Sequence, residues 1–188
     1  MNESRATRRG AIRGGLTIGA GLAFATPVAL RARVTLAAAE TDLELIHGAA
    51  ELEQAAAIAY ETIAGRDLLD GEVKRAATLF AQQEREHAAA LVAALEDLGG
   101  SRPRPPKPGE IEGLAELGSQ EDALGFAIKL ENGLVATYRE AAAKLESTAL
   151  IRTAAQIIGN EAQHLVVLRQ QLGEEAVPSA FEAGTSGP

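Results

Sequence analysis

Glu84-Arg85-Glu86-His87 and Glu161-Ala162-Gln163-His164 spell one pattern twice in the same chain. On an α-helix a Glu and a His three residues apart sit on neighbouring turns of one face, where a carboxylate and an imidazole can reach one metal ion together. One such pair carries little weight. Each, however, follows a second segment with a Glu and a Tyr at one fixed spacing: Glu53 with Tyr60, and Glu131 with Tyr138. The Glu-Tyr pairs are offset by 78 residues and the Glu-His pairs by 77. The chain therefore reads as an internal duplication of a helix pair, with four Glu and two His in matching positions.

The surrounding composition favours helix. Of 188 residues 46% are hydrophobic, largely Ala and Leu, and 3% are aromatic, which suits an all-α protein of a single domain's length. There is no cysteine, so disulfides, thiolate metal sites, iron–sulfur clusters, a thiol nucleophile and a lipid-modified Cys anchor are excluded. Any metal chemistry has to use carboxylate and imidazole.

Residues 1–39 read as an address label and not as part of the fold. Thr7-Arg8-Arg9-Gly10-Ala11-Ile12-Arg13 precedes an uncharged stretch from Gly14 to Leu30, and Ala37-Ala38-Ala39 offers a small-residue cleavage site. The pattern is similar to a twin-arginine export signal, with Ala11 where a Phe is preferred; an ordinary secretory signal or a membrane anchor are the alternatives. About 17 Gly-rich residues interrupted by Pro27 are short for a spanning helix, and no membrane span is expected in the mature chain. Residues 1–39 hold 6 of the 18 Lys and Arg and 1 of the 26 Asp and Glu, leaving 12 against 25 and a net charge of −13. Such a surface repels nucleic acid and anionic membranes.

Four helical stretches follow. Thr41-Asp42-Leu43-Glu44 has the form of a capping box, predicting a first helix from there to about Ala64. Asp70 caps a second that ends by Leu98, before Gly99-Gly100. Ser119-Gln120-Glu121-Asp122 opens a third, ending near Ser147, which itself caps a fourth that stops at Gly173. Short links make each pair an antiparallel hairpin. Between the hairpins, Gly99 to Gly118 contains Arg102-Pro103-Arg104-Pro105-Pro106-Lys107-Pro108. About 20 residues in a Pro-rich extended form reach roughly 60 Å, enough to cross a bundle end to end. The alternative, a flexible linker between two separate hairpins, leaves neither hairpin able to bury its apolar stripe. The expected organisation is a bundle over 40–173 and a flexible tail over 174–188.

The candidate ligands lie on apolar stripes. Glu131 shares one with Leu134, Val135 and Tyr138; Glu84 and His87 share one with Phe80 and Leu91; Glu161 and His164 with Leu165 and Leu168. Burying four carboxylates without compensation costs several kcal/mol each, and two divalent or trivalent cations are the natural compensation.

With these motifs the chain resembles the ferritin-like superfamily of carboxylate-bridged di-iron proteins, over the whole span from Thr41 to Leu172. The resemblance implies a ferritin-like four-helix bundle in which Glu53 and Glu131 are terminal ligands, Glu84 and Glu161 bridge two metal ions, and His87 and His164 each cap one. Iron is the first expectation for both ions, with manganese next, and oxygen or peroxide as the reactant. Tyr60 and Tyr138 would be donors that orient carboxylates from across the bundle, or core tyrosines with satisfied hydroxyls. Gln83 and Gln163 sit beside the ligand face, with nothing in the sequence to separate them. His47 lies about 240° round the helix from Glu53 and reads, like Glu51 and Glu86, as a surface residue.

Several absences narrow the expectation. Met1 is the only Met, so the Met haem ligation of bacterioferritins is not available and no haem is expected. Without Cys there is no rubredoxin-type electron relay like that of rubrerythrins. After Leu172 only 16 residues follow, too few and too rich in Gly, Ser and Pro for the fifth helix of ferritin cages. Three functions stay open: an exported di-iron oxidoreductase, a metal-buffering protein without turnover, and a metal-free bundle that binds a cell-envelope partner. A homodimer is implied by the resemblance alone.

Overall fold

The computed structural model describes the backbone of residues 27–184 and the side chains of 41–184. The arginine pair of the expected export signal lies outside the described residues. Helices α1 (Pro27–Gly65), α2 (Gly71–Asp97), α3 (Gln120–Ala142) and α4 (Thr148–Leu172) make up the fold, with one turn of 3-10 helix at Pro108–Glu110. The described residues contain no strand, and none of their helices is long and apolar enough to cross a membrane.

Local chemistry sets three of the four helix starts. The Asp70 carboxylate accepts the Glu72 and Val73 amides at 2.9 and 3.0 Å, Ser119 Oγ accepts the Asp122 amide at 3.1 Å, and Ser147 caps α4. Each satisfies donors that the first helical turn leaves without partners. At the far end of α4, Gly173 takes the left-handed conformation, φ 79°, and closes the helix.

The start of α1 differs from expectation. Among the described residues the helix runs unbroken from Pro27 through Thr41. The capping-box pattern at Thr41–Glu44 therefore does not open a helix. Asp42 is instead buried, and its carboxylate accepts the amides of Glu146 and Ser147 at 2.9 and 3.0 Å. It holds the turn that leads into α4, more than 100 residues away in sequence. The third helix also ends earlier than expected, at Ala142, and the turn that follows buries Leu145 in the core.

These long-range bonds fix the topology. Asp70 and Gln120 bond each other reciprocally at 2.7 and 3.0 Å, which places the starts of α2 and α3 at one end of the bundle. Asp42 holds the α3–α4 turn at the other end. The helices thus run up, down, down, up, and the segment 98–119 crosses the full length. That crossover is packed: Leu114 is fully buried with Ala59, Ile63 and Ala123, so it seals the α1–α3 side and is no loose linker. The closest packing is within the hairpins α1–α2 and α3–α4.

Two apolar layers fill the bundle. One joins Ile46, Ala50, Leu91, Leu95, Leu134, Leu150 and Ile157; the other joins Tyr60, Val73, Phe80, Leu124, Ala127 and Leu168. The layer between them is polar. Beyond α4, residues 174–184 make specific contacts with the bundle. Arg169, itself buried, pairs with Glu182 at 2.7 Å, and Arg139 donates to the Ala183 carbonyl at 2.6 Å. Gly184, φ +63°, lies so close to α3 that a Cβ would stand 2.4 Å from the Asn132 carbonyl oxygen.

Candidate metal centre

Each of the four helices sends its middle turn into the polar layer. Glu53 comes from α1, Glu84 and His87 from α2, Glu131 from α3, and Glu161 and His164 from α4. All four carboxylates are fully buried. The residues form two overlapping groups, Glu53–Glu84–His87–Glu161 and Glu84–Glu131–Glu161–His164, with ligand atoms inside each within 4.8 Å of one another. Glu84 and Glu161 belong to both groups. The six residues singled out by the duplication are thus brought together around two neighbouring positions.

The imidazoles converge on the carboxylates through Nδ1. His164 Nδ1 stands 3.1 Å from Glu84, 3.2 Å from Glu131 and 3.0 Å from Glu161. His87 Nδ1 stands 3.5 Å from Glu53, 3.4 Å from Glu84 and 3.0 Å from Glu161. One nitrogen carries at most one hydrogen, so at most one of each three contacts is a hydrogen bond. Direction agrees: Glu84 Oε1 and both Glu161 oxygens lie within about 3 Å of an imidazole yet receive no aligned hydrogen bond, and neither do Glu53 Oε2, 3.5 Å from His87 Nδ1, and Glu131 Oε2. Five buried carboxylate oxygens left this way would each carry a penalty of about 1–3 kcal/mol or more. They are the donor atoms a pair of hard or borderline cations would take. The residues fit such a pair.

The tyrosines supply the remaining donors. Tyr60 on α1 donates to Glu131 Oε1 on α3, and Tyr138 on α3 donates to Glu53 Oε1 on α1. The two bonds are related by the duplication and lock α1 and α3 in antiparallel register. Both hydroxyls keep their protons: burial pushes the pKa of each tyrosine well above its usual range, and the facing carboxylate, Glu131 for Tyr60 and Glu53 for Tyr138, adds to the rise.

Charge in the layer follows from counting. Burial pushes Glu53 and Glu131 well above the usual carboxylate range. Glu84 is buried too, but hydrogen bonding from His164 and His87 outweighs that and holds it down to about 2, and the same imidazoles lower Glu161. Burial disfavours charge on the imidazoles, yet the carboxylates prevail and push His87 up to about 12 and His164 up to about 11. Free of metal, burial favours protons on Glu53 and Glu131 and the carboxylates favour protons on His87 and His164, four protons that together would neutralise the layer. Two divalent cations carry the same charge.

Of the two glutamines beside the ligand face, only Gln83 reaches it. His164 Nε2 donates to Gln83 Oε1 at 2.8 Å, whereas Gln163 is exposed and donates to the Gly159 carbonyl. The repeat offset could have separated them, since it aligns Gln83 with Asn160 but Gln163 with the exposed Glu86. Phe80, on the same stripe as Glu84 and His87, faces the site as its spacing suggests, but its ring stacks on His164 of the neighbouring helix, with centroids 4.0 Å apart. His47 lies outside the cluster, 3.8 Å from Glu51.

The sequence model of the ferritin-like domain matches residues 41–174, the stretch that carries all six residues. The chain belongs to the ferritin-like domain family. Among solved structures it is similar to a conserved hypothetical protein, rv2844, from Mycobacterium tuberculosis. The two are 19% identical, with a TM-score of 0.65, over 77% of this chain and 99% of that one. At that identity the likeness speaks to the fold. No curated protein matches the sequence. A ferritin-like bundle with a buried carboxylate and imidazole cluster able to hold metal is thus what sequence, family and geometry agree on.

Proposed function

We propose that the protein is exported, binds two metal ions in the polar layer, iron before manganese, and uses them to oxidise Fe(II) or to reduce dioxygen or peroxide. The observation that carries metal binding is the set of five buried carboxylate oxygens without aligned donors, all inside the two ligand groups. A bundle that only scaffolds would place leucine at these positions, because neutral apolar residues of similar volume are equally stable or more so. Glu84 and Glu161, shared by both groups, would bridge the ions, with Glu53 and His87 completing one position and Glu131 and His164 the other. Two adjacent redox-active ions held there would supply the two electrons that peroxide needs on its way to water.

The chain's own residues do the rest. Tyr60 and Tyr138 hold Glu131 and Glu53 by one oxygen each and leave the other free to turn inward. The apolar layers on both sides exclude water, which strengthens every electrostatic contact in the layer. A narrow crevice lined by Tyr60, Val73, Ala127 and Leu168 lies against the ring that serves Glu131, and its apolar walls suit a small uncharged molecule such as dioxygen. Arg8-Arg9 and the apolar stretch after them support export.

The test is the metal content of the purified, exported chain by elemental mass spectrometry, beside a Glu84→Ala, Glu161→Ala double variant. About two iron or manganese ions per chain, lost in the variant, is the expected result. A folded wild-type chain that holds no metal and takes up no added Fe(II) would overturn the reading.

A further inference from the structure

The duplication relates α1 to α3 and α2 to α4, so His87 and His164 should have matching surroundings. They do not. The His164 ring is held at three points: its Nδ1 faces the carboxylates, its Nε2 donates to Gln83 at 2.8 Å, and its face stacks on Phe80. Its side chain is 1% exposed. The His87 ring is held by its Nδ1 contacts alone, its side chain is 14% exposed, and its Nε2 has no partner among the described residues. The positions that match Gln83 and Phe80 in the second hairpin are Asn160 and Ile157. Asparagine is one methylene shorter than glutamine, and isoleucine offers no ring to stack on. The duplicated layer therefore has one imidazole held at Nδ1, Nε2 and its ring face, and one held at Nδ1 without those two further contacts.

We propose that the two metal positions are unequal: Glu84, Glu131, Glu161 and His164 retain their ion, Glu53, Glu84, His87 and Glu161 exchange theirs, and Gln83 is the positioning residue that sets the difference. The proposal rests on the two-metal reading above. An acceptor on the far nitrogen of a ligating histidine fixes which nitrogen carries the hydrogen and aims the other at the ion; losing such a partner lowers metal affinity by about 10–100-fold. Gln83 does this for His164 before any ion arrives, and Phe80 removes the ring's remaining rotation. His87 lacks both of these holds, and it is the imidazole in contact with solvent.

The experiment is a calorimetric titration of the metal-stripped full chain with Co(II), followed also by its visible absorption. Wild type should bind two ions in two steps at least about tenfold apart in affinity. Gln83→Leu should weaken the tighter step by about 10–100-fold and leave the weaker one unchanged, whereas Gln83→Glu, which keeps an acceptor, should preserve the separation. Asn160→Gln, which lengthens the matching side chain toward His87, should tighten the weaker step; as a gain it cannot be mistaken for damage to the fold. Two equal steps in wild type, or a Gln83→Leu loss spread evenly over both, would overturn this proposal and leave two-metal binding standing. No uptake of Co(II) by the folded wild type would overturn both.

Discussion

Raising the pH on the metal-free protein should destabilise it. In the folded chain Glu53 and Glu131 hold protons because burial disfavours their charge, and His87 and His164 hold protons because the carboxylates favour theirs, up to about 12 and about 11. Unfolding returns the glutamates to an ordinary value of about 4.5 and the histidines to about 6.5. Above pH 7 the unfolded chain therefore binds fewer protons than the folded one, and stability falls as pH rises. Each proton so retained is worth about 1.4 kcal/mol per pH unit. A single one amounts to about 3 kcal/mol between pH 7 and 9, and the two histidines together to about 5 kcal/mol, a large part of the stability of a domain. At roughly 2–4 °C per kcal/mol, the melting temperature of the chelator-treated protein should drop by at least about 5 °C over that window. Calorimetry at pH 7, 8 and 9 measures it. The metal-loaded protein, whose layer is neutralised by cations, should be much flatter, and Glu53→Gln should remove part of the slope. A metal-free melting temperature that is level or rises from pH 7 to 9 would refute the charge count.

Other outcomes follow from single contacts. Either Glu84→Ala or Glu161→Ala alone should abolish binding of both ions, since each belongs to both ligand groups, while His47→Ala should leave metal content unchanged; elemental analysis decides. Tyr60→Phe removes the donor to a buried Glu131 oxygen and should cost about 1–3 kcal/mol in urea unfolding of the metal-free protein. Asp42→Ala leaves the Glu146 and Ser147 amides without their acceptor and should cost about 1–3 kcal/mol without altering metal stoichiometry.

The site was legible because duplication and helical spacing are both one-dimensional signals. Glu84 with His87 and Glu161 with His164 announce a shared face, and the near-constant offset places Glu53 and Glu131 beside them before any coordinate is known. The crossover was legible from its length and prolines. What failed were inferences that depend on a partner far away in sequence. Thr41–Glu44 satisfies a local capping pattern, yet Asp42 spends its carboxylate on amides at 146 and 147, and nothing nearby in the chain says so. Gln83 and Gln163 both sit beside the ligand face; the repeat offset hints at the difference by aligning Gln163 with Glu86, and the neighbouring helix decides it by bringing His164 to Gln83.

The reciprocal bonds Tyr60–Glu131 and Tyr138–Glu53 carry a historical consequence. They describe a two-fold axis across the bundle, the symmetry that two copies of one hairpin would adopt as a dimer. Two separate copies of one hairpin would have to give both histidines identical neighbours, because any substitution would appear on both sides at once. A single chain that carries both hairpins is under no such constraint. Phe80 and Gln83 could then part from Ile157 and Asn160, and a symmetric pair of positions could take on separate duties within one chain.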